Sequence, residues 1–355
     1  MAAYMNEVSP NRDDRHQGRL AYLSDNMLPR EVANVVWEKA AESSLVLRLG
    51  QQVPVGYGET LINTQTVQPE VGQVGVGSTP GTREGYRKPI SGVAWESQAF
   101  SPIKLATIVT ASEEFARENP AGLWSSISGQ LAQAIGRGID LAVFHGLRPD
   151  NGAALLGISN NGWVDQTLNR QTYDGVVPIQ LDVAFANAWA DVVTYGAEPN
   201  AIALDPLFAP ALMLARDADG NLLFQNSFNL TNSGPNAIGG LRTETGSAVS
   251  GRLGRGPDSG ARAFVGDFAR MIYGYADPVR VKVTDTATLY SADGTPVPMW
   301  QTNQIAIMIE TTFGWKVDAA AFSALDSDSP IVGGLVPPGE SVSDAVTTDL
   351  GGPAS

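Results

Sequence analysis

The 355-residue sequence has no cysteine and only two histidines, His16 and His145. Without thiols there is no disulfide framework, no thiolate nucleophile and no cysteine-based metal site. Long apolar runs are missing as well: nowhere do about 18 consecutive apolar residues occur, so no membrane-spanning helix and no membrane partner are expected. The amino-terminal stretch MAAYMNEVSPNRDDRHQGRL places no apolar segment behind its charges and does not read as a signal peptide. Positive charge is scarce. With 23 Lys and Arg against 37 Asp and Glu, the net charge is -14, a field that repels phosphate backbones and argues against general nucleic-acid binding.

What is present is the composition of a core-forming protein, 43% hydrophobic and 17% charged, where a disordered chain would carry less apolar and more charged material. A chain of this length makes two to three compact units, or one domain with large excursions. Acid is unevenly placed. Lys316 is the last basic residue, and Asp318, Asp326, Asp328, Glu340, Asp344 and Asp349 follow it, so residues 326–355 read as an acidic tail rich in Pro, Gly and Ser.

Residues 1–28 are polar, show no period and read as an extended arm. From Pro29, which a first helical turn tolerates, Val32, Val35, Val36 and Ala40 share one face and predict a helix ending near Glu42. Apolar runs at 45–49, 53–55 and 61–67, punctuated by Gly50, Gly56 and Gly58, read as strands. Residues 67–102 hold six glycines and four prolines but few large apolar side chains, with Val71, Val74 and Val76 on one limb and Val93, Trp95 and Phe100 on the other. This pattern predicts a long projecting hairpin, marginal in water unless it lies on something else.

Residues 103–110 are a β-branched strand, and Ser112 is placed to cap a short helix over 113–115. Asn119 and Pro120 then open the strongest helix, whose stripe of Leu123, Trp124, Ile127, Leu131, Ile135, Ile139 and Val143 runs to Phe144, with Gly146 placed to end it. Gly129, Gly136 and Gly138 inside it each cost about 1 kcal/mol relative to Ala, which suggests either close backbone approach by another element or mere tolerance. Beyond 166 the pattern is mixed α/β: a helix over 182–194, a buried strand at 201–204 and a helix opened by Asp205 and Pro206 reaching 216. Loops follow over 217–262, then strands at 263–266, 270–274 and 279–286, and a final pair at 304–312 and 315–317.

No residue set carries chemistry. His145, at the carboxyl end of its helix, suits the helix dipole and has no second histidine or cysteine with which to build a metal site. Glu113 and Glu114 are adjacent, so on a helix they point about 100° apart. The glycine-rich loop 239–260 lacks GxxxxGK[ST], Asp217, Asp219 and Gly220 lack the closing glutamate of a calcium loop, and no GxSxG elbow occurs. Catalytic, cofactor-binding and metal-binding residues are therefore none, no cofactor is expected, and the chain is not expected to be an enzyme. A glycosidase-type carboxylate pair is the one chemistry that residue counts alone leave open.

The order of parts between Val67 and Gly146 resembles the major capsid proteins of tailed bacteriophages with the Hong Kong 97-like fold. There PEVGQVGVGSTPGTREGYRKPISGVAWESQAF runs into SPIKLATIVTASEEF and then into the long helix, as the E-loop, the following strand and the spine helix do in that family. NAIALDPLFAPALMLARDADGNLLFQ and VGDFARMIYGYADPVRVKVTD resemble the axial (A) domain, and QIAIMIETTFGWKVDAAAFSAL the strands returning to the peripheral (P) domain. The resemblance covers about residues 30–325. It implies an α+β fold divided into an N-terminal arm (1–28), a helix and P-domain strands (29–66), the E-loop (67–102), the P-domain (103–165) with spine helix 120–145, the A-domain (166–302), return strands (303–325) and the tail (326–355).

The same resemblance implies a major capsid protein that assembles with itself into hexamers and pentamers, forming the icosahedral head of a tailed phage. Assembly would occur in the bacterial cytoplasm, and double-stranded DNA would be enclosed without sequence-specific binding. The acidic charge is consistent with such a container. The short segment before the first helix implies a separate scaffolding protein; a portal is a further partner, and a decoration protein is left open. Val74, Val76, Tyr86, Val93, Trp95 and Phe100 are expected as packing contacts between subunits, with Arg83, Glu84, Arg87, Lys88 and Glu96 as charge partners. Lys88 is the candidate crosslinking lysine, although no asparagine or assisting glutamate can be matched to it. The alternatives are an encapsulin-like nanocompartment shell and, in another class, an α/β enzyme or carbohydrate-binding protein.

Overall fold

The structure, a computed structural model, describes residues 40, 44–67, 69–71, 90–118, 120–173, 181–215, 221–222, 224, 237–291 and 294–327. In chain order its elements begin with helix α1 (Leu45–Leu49) and strands β1 (Gln51–Gln52), β2 (Thr60–Val67), β3 (Ala94–Phe100) and β4 (Ile103–Ser112). Helices α2 (Glu113–Glu118) and α3 (Pro120–His145), strand β5 (Arg170–Tyr173), helix α4 (Leu181–Thr194), strand β6 (Ala201–Leu204) and helix α5 (Ala209–Leu214) follow. The remainder is β: β7 (Ala237–Ile238), β8 (Leu241–Thr245), β9 (Ala261–Gly266), β10 (Met271–Thr284), β11 (Thr288–Tyr290), β12 (Pro296–Pro298), β13 (Gln304–Val317) and β14 (Phe322–Ser327).

Two larger sheets divide the core. The first has the order β1-β10-β13-β4 and packs against α3, which at 26 residues is about 39 Å long. A strand alternates its side chains between faces, and on β13 Ile305, Ile307, Ile309, Phe313, Trp315 and Val317 are buried, with Val279, Val281 and Val283 of β10 beside them. They share one core with Leu131, Ile135, Ile139 and Val143 of α3. The second sheet, β5-β14-β9-β6-β8-β7, is covered on both sides, and every residue of β6 and β9 is buried. One side carries Ile202, Leu204, Ala263 and Val265 against α4 and α5; the other sends Ala203, Phe264 and Ala324 into the α3 core.

The long helix ends as predicted, at Gly146 with φ +66°. Two of its glycines do not mark close backbone approach: nothing lies within 4 Å of a Cβ placed on Gly129, and only Leu105 Cδ1, at 3.5 Å, approaches one on Gly138. The predicted helix over 29–42 lies outside the described residues except for Ala40, which is helical.

Several sequence expectations are corrected. Residues 45–49 form a helix, not a strand. Five residues cannot hold a helix alone; here the carboxylate of buried Asp140 on α3 accepts from Ser44 Oγ at 2.5 Å and from the N–H groups of Leu45 and Val46 at 3.1 Å. Burial pushes Asp140 up to about 6, with those hydrogen bonds pulling the other way. Residues 53–55 are not a strand, although the Val53 N–H donates to Tyr273 O at 2.8 Å.

The helix expected at Asp205 starts at Ala209. Asp205 is fully buried, accepts from the Leu207 N–H at 2.7 Å and pairs with Arg252 at 2.9 Å, which holds the intervening residues as a turn. The glycine-rich loop 239–260 follows β7 and contains β8, which pairs parallel to β6. Residues 271–284 form one bulged strand and 304–317 one unbroken strand.

The chain also crosses between the sheets more than expected. β10, in the stretch assigned to the A-domain, sits in the four-stranded sheet, while β14, assigned in part to the tail, sits in the six-stranded one. Asp326 pairs with Arg170 there, so residues 326 and 327, assigned to the tail, belong to this sheet, and residues 328–355 lie outside the described residues.

Candidate assembly surface

Among the described residues an antiparallel ladder runs into the 67–102 segment from before it. β2 and β3 form their own two-stranded sheet, with Thr60 opposite Phe100, Asn63 opposite Ser97 and Gln65 opposite Trp95. Among the described residues its first limb is 60–67, and Val74 and Val76 lie outside the described residues. Paired residues share a face, so Leu61, Asn63, Ser97, Trp95 and Ala99 lie together. On that face Leu61 is 66% and Trp95 64% exposed, and Ser97 Oγ donates to Asn63 Oδ1 at 2.6 Å.

The root of the hairpin is fastened by features that the sequence reading missed. Gly274 and Gly314 are directly paired across β10 and β13. A Cβ on Gly274 would lie 2.2 Å from Val53 O and 2.5 Å from Val55 Cγ2; one on Gly314 would lie 3.0 Å from Phe100 Cε2 and 3.2 Å from Val55 Cγ1. Side chains at either position would occupy the notch that seats Val55, before β2, and Phe100, at the end of β3. Buried Asn161 completes the clamp. Its Oδ1 accepts from the Ser101 N–H at 3.0 Å and its Nδ2 donates to Ser101 O at 2.9 Å. The glycines are visible in the sequence, but their pairing depends on the register of two strands far apart in the chain.

Of the predicted contact residues, Val74, Val76, Arg83, Glu84, Tyr86, Arg87 and Lys88 lie outside the described residues. Val93 and Trp95 are exposed, and Glu96 stands opposite Thr64 in the ladder. Phe100 is corrected: it is fully buried in its own subunit and has no surface left for a neighbour. Strand alternation turned it inward at the hairpin root.

The solvent side of the four-stranded sheet carries a charged cluster. Glu310 on β13 is 2.8 Å from Lys104 Nζ on β4, 3.5 Å from Lys282 Nζ and 4.0 Å from Arg280 on β10. The hydrogen bond from Lys104 is the chief cause holding the Glu310 carboxyl below its usual range, with the Lys282 charge adding to it. Ile108 stands exposed beside the cluster, opposite Met308 in the ladder. His145 closes α3 through partners on two segments, its Nε2 donating to Ala248 O at 2.8 Å and its Nδ1 lying 3.1 Å from Asp165 Oδ2. Among the described residues no group of three or more His, Asp or Glu could hold a metal ion, and no helix is long and apolar enough to cross a membrane.

Residues 25–326 match the model of the phage capsid family. The chain belongs to the phage capsid family. It is accordingly a structural protein of the capsid and a component of the virion. Among relatives of this capsid chain, the probable major capsid protein gp17 of Mycobacterium phage D29 is 29% identical over 315 residues, covering 86% of this chain and 93% of the relative. The corresponding gp17 of Mycobacterium phage L5 is 27% identical over 333 residues, covering 90% and 97%. A solved chain of Gordonia phage Cozz superposes with a TM-score of 0.68 at 24% identity, covering 81% of this chain and 87% of that one, a likeness of fold. The α+β architecture described above is therefore shared with a phage protein of known structure.

Proposed function

We propose that this chain is the major capsid protein of a tailed phage, assembling with copies of itself into hexamers and pentamers that close an icosahedral head around double-stranded DNA. The observation that carries the reading is the family match spanning residues 25–326. In this reading the four-stranded sheet with α3 is the P-domain and its spine, the six-stranded sheet with α4 and α5 is the A-domain, and the β2–β3 hairpin is the E-loop of the Hong Kong 97-like fold.

A two-stranded hairpin is marginal in water by itself, and this one exposes Leu61 and Trp95 on one face. Laying that face on a neighbour removes apolar area worth about 25 cal/mol per Å2 before association costs. Val93 and Trp95 are retained as intersubunit packing contacts, with Val74, Val76 and Tyr86 further out and Arg83, Glu84, Arg87, Lys88 and Glu96 as charge partners. Assembly takes place in the host cytoplasm with a separate scaffolding protein and a portal.

Co-expression of the chain with a candidate scaffolding protein, followed by electron microscopy, tests the reading. Closed shells with five- and six-fold capsomers are expected. A chain that stays monomeric at high concentration with scaffold present would overturn it.

A further inference from the structure

We infer that the outward side of α4 and the groove beside it form a contact with a second copy of this chain; the inference rests on the shell-subunit reading above. α4 turns Leu181, Ala184, Phe185, Ala188 and Val192 inward. A surface helix ordinarily presents charged and polar residues on its other side, yet here that side exposes Val183 at 55%, Trp189 at 37% and Val193 at 52%, with Ala186 and Ala190 between them. Asp182 is its one exposed charge, exposed Asn187 and Thr194 lie along its edge, and half-buried Asp191 is hydrogen-bonded to Gln171 and Ser323. Small residues flanked by larger apolar ones let another backbone come close. A contiguous apolar surface of this kind marks an interaction site.

The face continues into a groove. Asp182, Ala186 and Trp189 form one wall of a cavity of about 390 Å3, and Ile202, Phe224, Ile238 and Val265 line the rest. Such a recess beside a helix suits a large apolar anchor, the kind of side chain that dominates protein–protein contacts.

The charge of the chain identifies the occupant. At net charge -14 two copies repel over most of their surface, so they meet most favourably where charge has been left out; a cationic partner would instead be drawn to acidic surface. Rings of identical subunits use heterologous contacts, in which one patch meets a different patch of the next copy. The same lobe offers Leu207 at 43% and Met213 at 56% exposure, on the turn and helix after β6, and Met adapts readily to irregular recesses.

The absence of cysteine makes the test direct. Val193→Cys introduces a single thiol at an exposed position, and its maleimide labelling is compared in free subunits and in assembled shells. Labelling at least roughly tenfold slower in shells is expected, since interface cores exclude water. The pair Val193→Cys with Met213→Cys should oxidise to covalent oligomers in shells and not in the free chain. Val193→Glu should leave the far-ultraviolet circular dichroism unchanged and abolish capsomers. Val193→Cys shells whose introduced thiol labels as fast as in free subunits, or Val193→Glu chains that assemble normally, overturn this inference while leaving the shell reading intact. Protection seen only in shells carrying a second protein species overturns it too, by assigning the face to that protein. Failure of the unmodified chain to form any shell overturns the shell reading itself.

Discussion

Trp95 and Trp315 both sit in antiparallel strands, and the contrast between them separates two regions of the molecule. Trp315 on β13 is fully buried, stacks near Phe313 and donates its indole N–H to Gly162 O at 2.8 Å. Trp95 on β3 is 64% exposed. The four-stranded sheet resolves its apolar surface inside the subunit, against α3. The hairpin does not, so whatever favourable energy its apolar face provides must be realised outside the subunit. Phe100 marks the frontier, being the last residue of the hairpin and the first to enter the core.

The strongest way to break this division is at that frontier. Phe100→Ala empties the notch over Gly314 and should destabilise the subunit by about 3–5 kcal/mol, as buried Phe truncations do. Denaturant unfolding followed by tryptophan fluorescence measures it. A loss below about 1 kcal/mol would mean that the hairpin root is not fastened where the contacts place it.

Gly274→Ala approaches the same seat from the other side. Its Cβ would fall 2.2 Å from Val53 O, and backbone cannot yield as a flexible side chain can, so a loss of about 1–3 kcal/mol is expected. An unchanged midpoint of thermal unfolding would show that residues 53–55 are free to lift off the sheet.

A third test lies wholly inside the buried region, where Asp140 fixes the start of α1. Its folded-state value, about 6, lies above the 3.8 of an ordinary aspartate, so the neutral acid is the form that folding favours. Its contribution is fully present below pH 3.8 and is lost as pH rises through about 6. Other groups aside, this carboxyl should make the subunit about 1 kcal/mol more stable at about pH 5 than at about pH 7.5. The measurement is the pH profile of unfolding for the parent and for Asp140→Asn, which should lack that component. Identical profiles would remove Asp140 as the cause.

The buried region was also the more legible of the two. Periodicity, Pro120 and Gly146 mark α3 from the sequence because all three act locally. The run 45–49 misleads because its helix depends on Asp140, some 95 residues away, and no local period reveals that. Strands β10 and β13 read as broken because Asp277, Pro278 and Gly314 resemble turn residues, whereas the structure absorbs the first two in bulges and uses the glycine to admit Phe100. In the hairpin, composition announced a projecting arm but not its pairing. The polar strand 60–67 carries too little apolar alternation to identify its partner, and Asn161 reveals its clamping role only once Ser101 is folded beside it.

The smallest effect on the fold should accompany the largest effect on function. Trp95→Ala removes a side chain with little packed against it, so the stability of the isolated subunit should change by no more than about 0.5 kcal/mol, the range of ordinary surface substitutions. Large aromatic residues are nevertheless the usual anchors of protein contacts. Shell yield with scaffold present should therefore fall sharply for Trp95→Ala, and for Leu61→Ala on the same face, while Phe100→Ala loses shells only because its subunit is already unfolding. Unfolding midpoints and particle counts measured on the same preparations separate these two routes. If Trp95→Ala assembled as well as the parent, the exposed face of the hairpin would be ordinary solvated surface, and the contrast with Trp315 would carry no functional meaning.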